Sequence, residues 1–310
     1  MDTFFNKQAP DNMPPLAATI GMFDGVHRGH RLVVDHLRQA ASARGLKTAV
    51  FTFPNHPQLL FHPDCGLRLL TSPEKKASLL AQTGVDYTFF LSFTHELAAM
   101  TAREFMTLLR SRYNVRLLAV GYDHRFGHNR AEGFADYVAY GREMGMEVVQ
   151  NPVFELEGVN VSSTVCRRHV AAGEMEAASR CLGYPYRMGG RVVAGFQEGR
   201  KLGFPTANIQ LADPRRLVPA SGVYAVRVKV GDEATWRLGM MNIGTRPTFG
   251  GEKVSLEVHI FDFAGDLYGC QVEVAFLRRV REERKFASPE ELAAQLARDK
   301  QTILDACCLS

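Results

Sequence analysis

Between Ala17 and Gln150 short apolar runs alternate with stretches of helical spacing, and no other feature narrows the available folds as much. The runs occupy 17–20, 48–53, 87–91, 117–120 and 147–149. Between the first two, Val33, Leu37, Ala40 and Ala41 recur at helical spacing and Gly45 follows as a stop. Strands that alternate with helices require right-handed crossovers, so this half is expected to be an α/β, Rossmann-like, doubly wound parallel sheet. Such sheets take ligands beyond the C-terminal ends of their strands, where the strand order reverses.

After Gly183 the texture changes. Short strands such as Val223 to Val230 and Leu256 to Phe261, separated by Gly, Pro and Asp turns, predict a small antiparallel β-barrel. Ser288-Pro289-Glu290-Glu291 predicts a terminal helix with Ser288 as N-cap, running through Leu292, Leu296 and Ile303. The expected domains are therefore 1–183 and 184–310, a division that 310 residues support.

Composition excludes several classes. With 46% hydrophobic and 23% charged residues the chain is not disordered, and a net charge of +4 without any like-charged block offers no surface for nucleic acid or membrane. No stretch approaches the roughly 18 apolar residues of a membrane span, and Met1 to Asn12 does not read as a signal peptide. Six cysteines without Cys-x-x-Cys spacing suggest reduced thiols and a cytoplasmic protein. Vicinal Cys307 and Cys308 read either as a metal or redox site or as a frayed helix end.

Chemistry concentrates first in Gly21-Met22-Phe23-Asp24-Gly25-Val26-His27-Arg28-Gly29-His30, which joins a strand to a helix. His27 and His30 then stand at a helix N-terminus, where free amide N–H groups and the helix dipole favour an anion. Gly29 lets a phosphate approach the backbone, and the imidazoles can donate to phosphate oxygens as charge grows on them. A lone histidine here would more often be a cap; the pair beside two glycines favours the site. Ser162, Ser163, Thr164 and Arg167, at the start of a further helix, are a second donor set, although Ser-Ser-Thr is also an ordinary N-cap.

No Gly-x-x-x-x-Gly-Lys-Ser/Thr motif occurs, which excludes a Walker-type kinase. Instead, Gly199-Arg200-Lys201-Leu202-Gly203 precedes Phe204-Pro205-Thr206-Ala207-Asn208. On an extended segment Thr206 and Asn208 share a face, and their oxygens suit Mg²⁺. Alternation from Leu256 to Ile260 puts Glu257 and His259 on one face, as a surface pair or as part of a site.

These residues carry a resemblance. The first motif resembles the Gly-x-Phe-Asp-Gly-x-His-x-Gly-His signature of the bacterial bifunctional riboflavin kinase/FAD synthetase family, followed in order by Thr52-Phe53 with His56-Pro57, Gly121 to Gly127, and Val161 to Arg167. The second half is similar to the family's kinase portion in Pro-Thr-Ala-Asn, Gly222 to Ala225, Asn242 to Phe249, Glu257 to Phe263, and Asp266 to Gly269. The resemblance implies FMN adenylylation in the first half, with ATP at Gly21, Phe23, Asp24, Gly25, Gly29, Ser162, Ser163 and Thr164. His27, His30 and Arg167 then act on the phosphates, and His56, Asp123 and Phe126 face the flavin.

In the second half it implies riboflavin phosphorylation. Glu257 is the base, Gly199, Lys201, Gly203, Thr206 and Asn208 bind the nucleotide, and Thr206 and Asn208 hold Mg²⁺. Arg281 and Phe286 cover the flavin, unless they are a basic rim and a packing aromatic. Implied ligands are riboflavin, FMN, FAD and ATP, with a weak homo-oligomer and apo-flavoprotein recipients as further partners. Pro54-Asn55 and His124 depart from the pattern, which more often has an acid before proline and a Phe. A nucleotidylyltransferase for another phosphate-bearing substrate leaves Thr206, Asn208 and Glu257 idle. A non-catalytic flavin binder leaves the filled reactive positions unexplained.

Overall fold

The computed structural model describes residues 1–6, 10–122, 125–128, 132–195, 198–248 and 251–308. Asp123, His124 and Phe249 lie outside them. By internal contact the chain forms two units, Met1–Ser163 and Thr164–Ser310.

The first unit is built from β1 (Asp2–Phe5), β2 (Leu16–Ile20), α1 (Arg28–Ser42), β3 (Lys47–Thr52), α2 (Pro57–Phe61), α3 (Pro73–Ala81), β4 (Tyr87–Phe90) and α4 (His95–Ala99). It continues through α5 (Ala102–Arg112), β5 (Val115–Val120), α6 (Phe134–Met144), β6 (Glu147–Gln150) and a small hairpin, β7 (Glu155–Leu156) with β8 (Val159–Asn160). One parallel sheet runs in the order β1-β4-β3-β2-β5-β6. The five expected strands are all present, within two residues at each end.

Every residue of β2 is buried, as a central parallel strand covered on both faces must be. The chain leaves β2 toward β3 and returns later through β5 on its other side, so the order reverses beside β2. Start and stop chemistry is local. Ser72 caps α3 ahead of Pro73, Thr101 and Glu104 form a capping box on α5, and Gly145 ends α6 in the left-handed conformation. β1 was not expected. It pairs with β4 at the sheet edge, stacking Phe4 on Phe89 and Phe5 on Phe90 with ring centroids 5.0 and 4.2 Å apart.

In the second unit α7 (Ser163–Ala172) and α8 (Met175–Leu182) precede β9 (Arg187–Val193), α9 (Glu198–Lys201), β10 (Ala207–Leu211), β11 (Gly222–Val230) and β12 (Arg237–Thr248). β13 (Gly251–Ile260), β14 (Gln271–Arg281) and α10 (Pro289–Cys308) complete it. The six strands close into an antiparallel barrel in the order β10-β13-β12-β11-β14-β9. Ser288 caps α10 as expected, accepting from the Glu291 amide at 3.2 Å. A cluster of Val223, Ala225, Met240, Phe261 and Ile303, joined by Leu296 and Leu304, packs this helix on the barrel. Cys65 and Cys270 are free thiols, and Cys307 and Cys308 fall in the last turn of α10. Among the described residues no helix is long and apolar enough to cross a membrane.

Candidate active sites

The segment between β2 and α1 is a strained loop held from beneath. Phe23, Gly25 and Val26 have φ of 49°, 83° and 37°. A β-branched residue at positive φ is costly, and such conformations persist only where their surroundings enforce them. Asp24 does the enforcing. Its carboxylate, 1% exposed, accepts from the Leu70 amide at 3.1 Å and from the Thr71 amide and hydroxyl at 3.0 Å, while the Gly25 amide donates to Thr71 Oγ1 at 3.1 Å. Lys76, also buried, donates from Nζ to the Phe53 carbonyl at 2.8 Å, and burial lowers its pKa from 10.5 to about 8 against a partly compensating attraction to Asp24. Asp24 and Gly25 therefore brace the loop, and neither lines the cavity above it.

His27 is the N-cap of α1 and accepts from the His30 amide through Nδ1 at 3.3 Å. With Nδ1 an acceptor, the neutral ring carries its proton on Nε2 and can donate it outward. The His27 and His30 rings stack with centroids 3.6 Å apart, and Phe23 lies 4.8 Å from His30. A Cβ on Gly29 would meet the His27 ring and the Val161 carbonyl at 3.1 Å, so a side chain there would crowd both.

A cavity of about 360 Å³ opens here, lined by Gly21, Phe23, His27, Gly29, His30, Ser162 and Ser163 among others. Ser163 donates to the Asp24 carbonyl at 2.9 Å, tying the second donor set to the first loop. Thr164 and Arg167 stand on α7, counted with the second unit.

A second cavity, of about 680 Å³, shares Ile20, Gly21 and Met22 with the first and is lined further by Phe53, His56, Phe61, Phe93, Arg125 and Phe126. His56 caps α2, and Phe126 is fixed by stacking on Tyr137 at 4.2 Å. Phe61, 53% exposed, offers an open aromatic face. Gly127 is required by its surroundings: with φ 92° a Cβ would lie 2.7 Å from the Ala102 nitrogen. The expected flavin-side residue Asp123 is outside the described residues. Phe61 and Phe93 were not singled out by sequence, because the short segments that bring them here carry no periodic pattern, and Arg125 was read only as part of the Gly121 to Gly127 motif.

In the barrel Glu257 lies opposite Asn208 on β10 and opposite Asn242 on β12. Thr206 Oγ1 donates toward Glu257 Oε2 at 3.5 Å. His259, on the same face as Glu257, binds the Pro205 carbonyl through Nδ1 at 2.8 Å, and burial lowers its pKa. A cavity of about 310 Å³ takes in Gly199, Thr206, Glu257, Arg281 and Phe286, with apolar walls from Phe204, Leu292 and Leu296. Arg281 is held by Asp299 at 2.9 Å and lies 5.6 Å from the Phe286 ring centre.

A neighbouring cavity of about 450 Å³ is lined by Arg200, Pro205, Ala207, Asp266 and Tyr268, and Thr206 belongs to both. Asn208 and Gly203 line neither, and the Lys201 side chain is outside the description. The Asn208 amide instead fills the space that a Cβ on Gly195 would need, 2.0 Å from its Nδ2. Glu283 and Arg284 also line the first cavity; they lie in an irregular stretch, with no spacing for sequence to read.

The FAD synthetase family matches residues 9–165 and the riboflavin kinase family residues 182–307. The bifunctional riboflavin kinase/FMN adenylyltransferase of Escherichia coli (strain K12) is 42% identical over 286 residues, covering 92% of this chain and 90% of its own. That of Bacillus subtilis (strain 168) is 33% identical over 289 residues, covering 91% of this chain and 89% of its own. A crystal structure described as a macrolide-efflux protein from Streptococcus pneumoniae superposes with a TM-score of 0.89 at 33% identity, covering 98% of this chain and 99% of that one.

Proposed function

The chain belongs to the family of bifunctional riboflavin kinase/FMN adenylyltransferases, and from that footing we propose how its residues divide the two reactions. Residues 184–310 transfer the γ-phosphoryl group of ATP to the 5′-hydroxyl of riboflavin, giving FMN and ADP. Residues 1–183 join FMN to the AMP moiety of a second ATP, giving FAD and pyrophosphate. One observation supports this division: each unit has two adjoining cavities that share part of a wall, at Ile20-Gly21-Met22 beside the cavity of His27 and His30 in the first and at Thr206, next to Glu257, in the second. Two reactions of two substrates each need that arrangement twice.

In adenylyl transfer an FMN phosphate oxygen attacks the α-phosphorus of ATP while the bond to pyrophosphate breaks. The donors at the start of α1, His27 Nε2, the His30 ring and the Gly29 backbone, stabilise the negative charge as it grows, with Ser162, Ser163, Thr164 and Arg167 on the remaining phosphates. The flavin ring belongs in the aromatic cavity with His56, Phe126 and, by its place in the motif, Asp123. No protein nucleophile is required.

In the kinase site riboflavin occupies the apolar cavity between Phe204 and Phe286, and Glu257 accepts the proton of the ribityl hydroxyl. ATP occupies the cavity beside Arg200, with α9, which carries Gly199 and Lys201, and the turn at Gly203 preceding it. The Thr206 and Asn208 oxygens would offer hard ligands of the kind Mg²⁺ takes, and that ion would supply charge neutralisation on the phosphates when bound. A cytoplasmic location, a weak homo-oligomer and delivery of FAD to apo-flavoproteins complete the reading. The test is a time course with riboflavin, ATP and Mg²⁺, resolved by chromatography. FMN appearing first and FAD after it is expected; FMN that never converts would remove the adenylyl-transfer assignment.

A further inference from the structure

Asn151 is buried, 2% exposed, immediately after β6, and its amide continues the parallel ladder by donating to the Val120 carbonyl at 2.8 Å. That places it at the C-terminal edge of the sheet. Its side-chain oxygen lies 2.9 Å from His36 Nδ1 of α1, and in the tautomer with the proton on Nδ1 the imidazole donates to that oxygen and leaves the carboxamide turned with Nδ2 away from it. The other end of the carboxamide, Nδ2, is enclosed and has no hydrogen-bond partner. Buried donors are almost always satisfied, so an isolated one calls for a specific acceptor. The residue lines the same cavity as His27, His30 and Ser163, and its neighbours there, Pro152, Val153 and Val33, are apolar. The phosphate donors are thus accounted for at the start of α1 and at Ser162–Ser163. Beside Asn151 the wall is apolar, and its one directed N–H group suits a heteroaromatic ring that presents an acceptor nitrogen.

Resting on the adenylyl-transfer reading of this cavity, we propose that Asn151 Nδ2 donates a hydrogen bond to a ring nitrogen of the adenine of ATP, with His36 holding the amide in the donating orientation. Asn151 is then a nucleobase-recognition residue, and His36 a positioning residue behind it. Recognition through a donor discriminates strongly, because an analogue lacking the acceptor leaves the buried N–H unpaired.

The test measures FAD synthesis from supplied FMN. With the unaltered protein, 1-deaza-, 3-deaza- and 7-deaza-ATP are compared with ATP, and one of the three is expected to raise KM about tenfold with kcat within about threefold. Asn151→Asp, which keeps an acceptor for His36 but removes the donor, is expected to raise the KM for ATP similarly and to be indifferent to that same deaza substitution. His36→Ala should raise the KM for ATP in the same sense and weaken the response to that analogue. Equal KM for ATP and all three analogues overturns the proposal without any variant. So does a deaza effect that persists in full in Asn151→Asp, or a non-additive response to 2′-deoxy-ATP instead, which would move the donor to the sugar. Failure of the unaltered protein to make FAD from FMN and ATP would instead overturn the adenylyl-transfer reading itself.

Discussion

Lys76 shows how a single side chain can matter to a site it never enters. Its ammonium ties α3 to the end of β3 and is attracted to Asp24, and its pKa falls from 10.5 to about 8, chiefly by burial. Between those values the unfolded chain still holds a proton that the folded one has released, so this site's contribution to stability rises as pH climbs through the window and the charged form is the costly one below it. The size is about 3 kcal/mol by linkage. Thermal unfolding of the first unit at about pH 7.5 and about pH 10 should therefore show a gain in the natural protein, relative to Lys76→Met, at the higher pH. An identical pH response in both proteins would refute it. His27, His30, Glu257 and Thr206 were legible in the sequence because their motifs are contiguous. Lys76 and Asn151 were not, because each acquires its meaning from partners far along the chain, Phe53 and His36 respectively.

Among the elements, the turn from β2 into α1 carries the sharpest expectation. The carboxylate of Asp24, expected at the nucleotide, is bonded beneath the loop, where removing it leaves the Leu70 and Thr71 amides unsatisfied. Asp24→Ala should lower the stability of the first unit by about 3 kcal/mol and cut FAD synthesis at least about tenfold while FMN formation continues. A raised KM for ATP with unchanged stability would return Asp24 to direct ligand contact. The strands of this unit were readable because a buried parallel strand is a continuous apolar run, and Gly45 and Ser288 marked helix ends by backbone chemistry. β1 escaped notice because Asp2-Thr3-Phe4-Phe5 is too short to show a period, and its place is set by the rings of Phe89 and Phe90.

For the whole molecule, the change of texture after Gly183 announced two architectures, and the family matches break over a similar stretch, ending at 165 and resuming at 182. The helices α7 and α8 between them carry no contrast of pattern, so only contacts reveal that they go with the second unit. Two separate sites predict complementation. Glu257→Gln should make no FMN yet convert supplied FMN to FAD, His30→Ala should stop at FMN, and the two proteins mixed should carry riboflavin through to FAD. A mixture that stops at FMN would show that both reactions need one intact chain. The barrel closes on itself and has no unpaired strand, whereas the parallel sheet ends in β1, whose backbone covers that of β4. Trimming Met1–Asn6 would therefore exchange the edge strand Asp2-Thr3-Phe4-Phe5 for Tyr87-Thr88-Phe89-Phe90, an edge with one acid fewer to discourage pairing with another chain.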